Sequence, residues 1–257
     1  MNLKTFYINK SRIRYQEAVP DDGPFEKCYL IENPLCEDIV AIPDGCIDLQ
    51  FTWTDQVCRG YVCGSFLQGR RSLTSTYERC FGLKLHPGVL FAFLQCNRVD
   101  SLMDSRVPLE NFLDIRRLEE ELAPQTQFSD LIETALRFFR DQRIFPAHAI
   151  AGHADHFIRK NMGAVRVSEL IQSLGYSHRY VNNVFKNHFG VSVKKYADII
   201  RAQAAIDYLG SSDIMDVIVD LGYYDQAHFI RDFKQYTSMT PNAFLVQIQK
   251  NAGLIIV

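Results

Sequence analysis

One three-part pattern occurs twice in the last hundred or so residues, and it decides the fold of that region. The first occurrence contains Leu174-Gly175-Tyr176, Ser177, Phe185-Lys186, Gly190-Val191-Ser192 and Tyr196. The second contains Leu221-Gly222-Tyr223, Asp225, Phe233-Lys234, Ser238-Met239-Thr240-Pro241 and Phe244. The offset is 47 residues at Leu-Gly-Tyr and 48 from Ser177 and Asp225 onward. Each occurrence places an apolar helix before a glycine and a second helix after a polar cap, which is typical of a helix-turn-helix.

The repeat predicts an all-helical C-terminal domain over residues 153–250. Apolar spacing and cap residues indicate helices at 153–161, 168–174, 177–189, 192–209, 213–221, 225–236 and 241–250. The long helix at 192–209 joins the two helix-turn-helix units. In each unit the second helix is the one expected to enter the DNA major groove.

The first of these recognition helices carries a polar face suited to DNA. Arg179, Asn182, Asn183 and Lys186 follow i, i+3, i+4, i+7 spacing and share one side of the helix. Arginine pairs with guanine and asparagine with adenine, whereas lysine suits phosphate. No acidic residue lies between Ser177 and Asp198. We predict base contacts by Arg179, Asn182 and Asn183 and phosphate contacts by Ser177 and Lys186; the alternative is a plain solvated face.

The second recognition helix has fewer groups that can recognise bases. At the equivalent positions it shows Ala227, Ile230, Arg231 and Lys234, with Gln226 and His228 at its start. We predict base contacts by Gln226, His228 and Arg231 and a phosphate contact by Lys234, although His228 could equally be packed. Ala227 and Ile230 can meet only thymine methyl groups, so the first helix should carry more of the specificity.

The front of the chain has a different pattern. Over residues 1–105, short apolar runs such as 38–42, 46–53, 59–66 and 80–85 are broken by turn formers, which predicts an antiparallel β barrel or sandwich. Residues 106–145 then show two amphipathic helices, at 109–122 and 128–139, and residues 146–152 look like a linker. The apolar face of the second helix should pack on the β domain or form a dimer contact. That face consists of Leu131, Ile132, Ala135, Phe138 and Phe139.

Composition bounds the class of protein. A chain of 257 residues has room for two domains, and 47% hydrophobic with 23% charged residues is typical of globular proteins. No apolar run approaches the ~20 residues of a membrane helix, and residues 1–10 do not resemble a secretion signal, so we expect a cytoplasmic protein. Net charge is −2, divided into 11 Lys and Arg against 9 Asp and Glu over residues 151–257, and 17 against 21 before that. This asymmetry has the sign expected for DNA binding but is small.

The cysteines and histidines indicate no metal or cofactor site. Seven cysteines occur, at positions 28, 36, 46, 58, 63, 80 and 96, without a Cys-x-x-Cys pair. We expect them to be small core residues, with a thiol or metal sensor as the alternative. His153 and His156 lie three residues apart on a predicted helix, and we expect them to be solvated or packed at its start.

The segment from Gly222 to Lys234, followed by Met239-Thr240-Pro241, resembles the signature of the AraC/XylS family. The first unit, through Arg201 and Ala205, resembles the matching half of that family's domain. The resemblance covers about 100 residues and implies two helix-turn-helix units on a rigid joining helix, which insert into successive major-groove segments. It also implies DNA contacts by residues at matching positions, which are Arg179, Asn182, Asn183, Gln226, His228 and Arg231. Two departures, Ser238 in place of glycine and Val193 in place of proline, concern local geometry.

The front domain is similar to the cupin-like sensor region of some family members, through Pro43–Leu49 and His86-Pro87-Gly88. Such regions serve as effector pockets, dimer interfaces or both. We therefore expect a multidomain α+β protein with a cupin-like β barrel or sandwich and flanking helices in front of an all-α double helix-turn-helix domain. The resemblance implies a non-enzymatic regulator whose partners are double-stranded DNA, a small-molecule effector, a second copy of the chain and, for an activator, RNA polymerase. The alternatives are a ligand-free dimerising or partner-docking regulator and a cysteine-based DNA alkyl-repair regulator.

Overall fold

Antiparallel sheets form the front of the molecule and helices form the rest, which confirms the predicted fold class. The structure is a computed structural model that describes residues 3–4, 6–9, 13–32, 39–71, 77–95, 99–210, 212–250 and 254–256. Cys36 and Cys96 lie outside these residues. The strands are β1 (Phe6–Asn9), β2 (Arg14–Ala18), β3 (Phe25–Glu32), β4 (Ile39–Ala41), β5 (Asp48–Thr54), β6 (Val57–Cys63), β7 (Arg70–Arg71), β8 (Arg79–Leu85), β9 (Leu90–Phe91), β10 (Arg106–Pro108), β11 (Ile144–Phe145) and β12 (Leu254–Ile256).

The helices follow the same division. The front part contains α1 (Ala92–Gln95), α2 (Arg116–Leu122) and α3 (Phe128–Phe139), together with 3₁₀ helices at Val99–Leu102 and Leu109–Asn111. The rear part contains α4 (Ala149–Lys160), α5 (Val167–Leu174), α6 (His178–Phe189), α7 (Val193–Leu209), α8 (Ile214–Asp220), α9 (Gln226–Thr237) and α10 (Pro241–Lys250). None of the helices in the described ranges is long and apolar enough to cross a membrane.

A six-stranded antiparallel sheet with the order β10-β6-β5-β8-β3-β2 is the centre of the front domain. Along β3, Cys28 and Leu30 pack in the core that includes α2 and α3. Tyr29 and Ile31 point to the opposite side and pack with Ile39 of β4, which belongs to a second sheet with the order β12-β1-β4-β7. Both faces of β3 are therefore covered, which explains why its residues are almost continuously buried instead of alternating.

The apolar face of α3 lies against the six-stranded sheet. Leu131, Ala135 and Phe139 are buried in the same core as the strands, and Ile132 and Phe138 are partly buried there. The packing interpretation of this face therefore holds, and the buried residues are not available to a second copy of the chain. The predicted helix at 109–122 is divided: residues 109–111 form a 3₁₀ helix, and α2 begins at Arg116 with Ile115 at its N-cap position and no side-chain cap.

In the rear domain the predicted caps define the helix ends. Side-chain oxygens of Ser177, Ser192, Asp213 and Asp225 accept backbone N–H groups at the starts of α6, α7, α8 and α9. One boundary differs from the prediction. The first helix begins at Ala149 rather than at residue 153, since His148 Nδ1 accepts the Ile150 N–H (3.2 Å), so residues 149–152 are helical and not a linker.

The front and rear parts share apolar cores. Ile39 and Ala41 of β4 face the six-stranded sheet, whereas Val40 and Ile42 pack in the core of α8 and α9. Cys46 packs in the core of α4 and α6. On α7 the fully buried Gln203 amide donates to the carbonyl oxygens of Lys4 and Pro43, at 2.7 Å each. Strand β12 also returns to pair with β1 in antiparallel register. The boundary between the domains is thus an extensive packed interface.

Candidate nucleic-acid interface

The first helix-turn-helix unit, α5 and α6, is fixed by an aromatic core. Val181, Phe185 and Phe189 are buried on one side of α6, and the rings of Phe185 and Phe189 stack with centroids 4.2 Å apart. Tyr196 of α7 lies 5.3 and 5.0 Å from these two rings. Because this side of α6 is committed to the core, the opposite side of the helix must face outward.

The outward side presents most of the predicted DNA-contacting residues. Arg179 and Asn183 are exposed. Ser177 caps the helix by accepting the Tyr180 N–H (3.3 Å), which leaves the positive end of the helix dipole accessible. Lys186 is also on this side, but its ammonium group is 2.8 Å from the Asp100 carboxylate of the front domain.

Asn182 is engaged inside the protein. Its Oδ1 accepts the backbone N–H of Val193, the first residue of α7, at 3.2 Å. Its Nδ2 donates to the His178 carbonyl at 3.1 Å. The bond to Val193 holds the recognition helix against the joining helix. It also accounts for Val193, because a proline at that position would have no N–H to donate.

An exposed tyrosine pair beside the recognition helix was not predicted. The rings of Tyr176 and Tyr180 lie 5.3 Å apart, and Tyr176 is 53% exposed. Tyr176 belongs to the repeated Leu-Gly-Tyr, a pattern that indicates a structural role. The tyrosine of the second repeat, Tyr223, is only 6% exposed. The usable signal was the pairing of Tyr176 with Tyr180 four residues later, a spacing that the second unit lacks.

The second unit, α8 and α9, exposes Gln226, Arg231 and Lys234 on its recognition helix. His228 is different. Its Nε2 lies 3.2 Å from the Asp232 carboxylate, and its ring contacts Tyr223 edge-on at 5.4 Å. These contacts favour the packed alternative for His228.

The joining helix α7 holds the second recognition helix through a charged network. The Arg201 guanidinium pairs with Asp198 of its own helix at 3.1 Å and with Asp232 of α9 at 3.3 Å. It also lies over the Tyr223 ring, 4.6 Å from the centroid. Asp232 also contacts His228, so one cluster joins α7 to both the start and the middle of α9.

The front domain contacts the ends of both recognition helices. Beyond the Asp100–Lys186 pair, the N–H of Gly69 donates to the Gln235 carbonyl of α9 at 2.9 Å. Ser238, at the end of α9, has a left-handed backbone (φ 61°), a conformation that costs a side-chain-bearing residue more than glycine. Its hydroxyl donates to the Gly69 carbonyl, a bond that glycine could not form. The departure at Ser238 thus has a structural reason.

The described cysteines are unsuited to nucleophilic chemistry. Cys28, Cys46, Cys58 and Cys80 are buried and Cys63 is half-buried, all as free thiols. Burial raises the pKa of Cys28, Cys58 and Cys80 to about 12, so these thiols stay protonated at neutral pH. No group of three His, Cys, Asp or Glu residues in the described ranges is placed to hold a metal ion.

The front domain carries a polar cluster on the face of the six-stranded sheet that meets the smaller sheet. The Tyr29 hydroxyl donates to Asp48 Oδ2 at 2.9 Å and accepts from the Gln50 amide at 2.9 Å. Burial, followed by the nearby Asp44 charge, raises the pKa of Asp48 above its usual value. By contrast, Phe51, Trp53, Phe81 and Phe91 fill the core on the helix side of the sheet.

Comparison with known proteins supports the same assignment for the rear domain. Residues 170–247 match the family model described as "Helix-turn-helix domain", which is of the AraC type. The chain is 29% identical over 83 residues to the "Uncharacterized HTH-type transcriptional regulator YtdP" of Bacillus subtilis (strain 168), a match that covers 32% of this chain and 11% of that protein.

Solved structures with similarity to the chain include the C-terminal domain of AraT, a response regulator from Geobacillus stearothermophilus. That similarity has 23% identity and a TM-score of 0.37, and covers 39% of this chain and 87% of the AraT chain. ToxT from Vibrio cholerae is similar over 95% of this chain and 98% of its own, with 13% identity and a TM-score of 0.41. Together, the sequence match and the paired units on α7 identify residues 170–247 as a helix-turn-helix domain that is similar to those of the AraC/XylS family.

Proposed function

We propose that the protein is a sequence-specific DNA-binding transcription regulator. The observation that carries this proposal is the pair of recognition helices, α6 and α9, each with exposed basic and amide side chains and each fixed to one buried joining helix. Arg179 and Asn183 on α6, with Gln226 and Arg231 on α9, are the proposed base contacts. Ser177, Lys186 and Lys234 are the proposed phosphate contacts.

Two of the residues predicted to contact bases take positioning roles in this proposal. Asn182 uses its amide to bind His178 and Val193, and so sets the angle between α6 and α7. His228 is held by Asp232 at the start of α9. The exposed Tyr176–Tyr180 pair adds a surface that can lie against the sugar-phosphate backbone, since tyrosine hydroxyls are common phosphate contacts.

Separate roles for Arg179 and Lys186 give the first prediction. Arg179→Ala should cost about 1–3 kcal/mol of binding free energy on the specific site and relax the preference at one base pair. Lys186→Ala should weaken binding to all sequences alike and reduce the slope of log affinity against log salt by about one. Affinity selection from a random duplex pool, followed by titration at several salt concentrations, measures both effects.

Arg140→Ala is the matched control, because Arg140 is an exposed arginine at the end of α3, in the front domain. It should leave the selected sequence and the salt slope unchanged. The base-contact role of Arg179 would be wrong if Arg179→Ala selected the same sequences with the same affinity as the unaltered protein.

The rigid joining helix gives the second prediction. A monomer should protect two major-groove segments on one side of the duplex, about 10 base pairs apart from centre to centre. The site should be asymmetric, because α6 and α9 expose different side chains. Hydroxyl-radical footprinting and methylation interference on the selected site test this expectation. A single protected groove per monomer would restrict base contact to one unit.

We also propose that the front domain controls DNA binding through its interface with α6, α7 and α9. The shared cores at Val40, Ile42 and Cys46 support this proposal, because a displacement of these front-domain residues would also displace the helices that pack on them. A small-molecule effector of the front domain is part of this proposal. A ligand-free domain that dimerises or docks a partner is the second candidate. RNA polymerase is a proposed partner if the regulator activates transcription. Sedimentation velocity of the protein without DNA tests whether the chain self-associates.

A further inference from the structure

The front domain lies directly against the first recognition helix. The 3₁₀ helix Val99–Leu102 packs on α6, and its Asp100 carboxylate is 2.8 Å from the Lys186 ammonium group. Both side chains are partly exposed, 21% for Asp100 and 45% for Lys186, so the ion pair is at the surface and not in the core. An incoming DNA phosphate would therefore compete with this carboxylate for the Lys186 ammonium group.

The contact is part of a fitted surface and does not rest on the ion pair alone. At the end of α6, Gly190 is so close to Met103 that an added Cβ would lie 2.7 Å from the Met103 side chain. On another side of the helix end, a Cβ on Gly88 would lie 2.8 Å from the Phe189 ring. Two front-domain segments, residues 99–103 and the turn at 86–88, therefore hold the last turn of α6 where Lys186 is located.

The opposite end of α6 is left open. Arg179 and Asn183 are exposed, and the Tyr176–Tyr180 pair lies at the start of the helix. DNA can thus approach the start of the helix while the end is still paired with the front domain. The side chains proposed to contact bases are therefore exposed, whereas the Lys186 ammonium group, a proposed phosphate contact, is paired with Asp100.

We infer that Asp100 is an intramolecular competitor of DNA phosphate for Lys186, so that docking of the front domain on α6 weakens DNA binding. This inference rests on the proposed function, since it assumes that Lys186 faces DNA. A carboxylate at this position resembles a phosphate oxygen in charge and in its ability to accept hydrogen bonds from an ammonium group. Any event that moves residues 99–103 away from α6 would release Lys186 and raise affinity.

The test is a double-mutant cycle on a duplex selected by the unaltered protein from a random pool. Asp100→Asn should raise affinity by roughly two- to fivefold at low salt, the effect expected from releasing a partly exposed ion pair. The gain should shrink as ionic strength rises. In a Lys186→Gln background, the same Asp100→Asn change should raise affinity by less than about 1.5-fold, because no cation remains to be released.

Glu110→Gln is the control for a general loss of negative charge, since Glu110 is an exposed front-domain acid in the next 3₁₀ helix. It should change affinity little. An equal gain from Asp100→Asn with and without Lys186 would mean simple repulsion of DNA and would overturn the inference, as would no gain at all. If the unaltered protein selects no duplex and Asp100→Asn does not restore selection, the proposed function itself fails. Near-ultraviolet circular dichroism of each variant checks that it is folded.

Discussion

Replacing Lys84 by Met should lower the free energy of unfolding by about 3–5 kcal/mol, because it leaves a buried carboxylate without its counter-charge. Lys84 on β8 is completely buried, and its ammonium group lies 2.7 Å from Asp44 Oδ2. The other Asp44 oxygen accepts the Cys46 N–H at 2.9 Å, which shapes the turn at residues 44–46. That turn contacts the rear domain closely, since a Cβ on Gly45 would lie 2.5 Å from the Tyr196 ring. The ion pair therefore supports the interface between the domains as well as the sheet.

Lys27→Met provides a matched comparison. Lys27 is also a buried lysine of the six-stranded sheet, but its partner Glu17 is 45% exposed and can be solvated by water when the lysine is lost. Its loss should cost clearly less than that of Lys84. Adding Asp44→Asn to Lys84→Met should recover part of the stability, because the amide oxygen can still accept the Cys46 N–H without a buried charge. Urea denaturation monitored by circular dichroism gives these free energies. A cost below about 1 kcal/mol for Lys84→Met would show that Asp44 is not dependent on this lysine.

Leu131→Glu should destabilise the protein by about 4 kcal/mol or more, because it places a carboxylate in an apolar core. Leu131 is completely buried between α3 and the six-stranded sheet. Since the front and rear parts share cores, the loss should appear as a lower unfolding midpoint for the whole chain. An unchanged free energy of unfolding would contradict the burial of Leu131 against the sheet.

Ser129→Glu is the control for the Leu131 variant. Ser129 is exposed in the first turn of the same helix, where a negative charge is compatible with the helix dipole. Its effect on the unfolding free energy should stay within about 0.5 kcal/mol. A large loss from both substitutions would point to the added negative charge on α3 as the cause, and not to burial.

The local features of the rear domain could be predicted from sequence because they depend on neighbouring residues. Ser177, Ser192, Asp213 and Asp225 cap helices where the spacing of polar and apolar residues places them. Two helix starts differ from the prediction because neither has one of the usual cap residues. At Ala149 the cap is a histidine ring nitrogen, and α2 begins at Arg116 with no side-chain cap. A search for Ser, Thr, Asp or Asn directly before an apolar repeat finds neither start.

The exposed face of α6 was predictable, but the state of its side chains was not. Helical spacing places Arg179, Asn182 and Lys186 together on one side. Whether each is free depends on residues that are distant in sequence or belong to another element. The Asn182 amide is taken up by the start of α7, and the Lys186 ammonium group by Asp100. Such pairings follow from the packing of one domain on another, for which the pattern along the chain gives no distance information.

The buried amide of Gln203 binds α7 to the front domain, in addition to the packing of α7 within the rear domain. Its bonds to the carbonyl groups of Lys4 and Pro43 connect the middle of that helix to the segment before β1 and to the segment after β4. Amide protons in the middle of α7 should then exchange with solvent only when both domains open together. In such a protein, a ligand of the native front domain also raises the melting temperature of the DNA-binding helices, without touching them. The melting temperature of the rear helices thus reports indirectly on the fraction of front domains that have ligand bound.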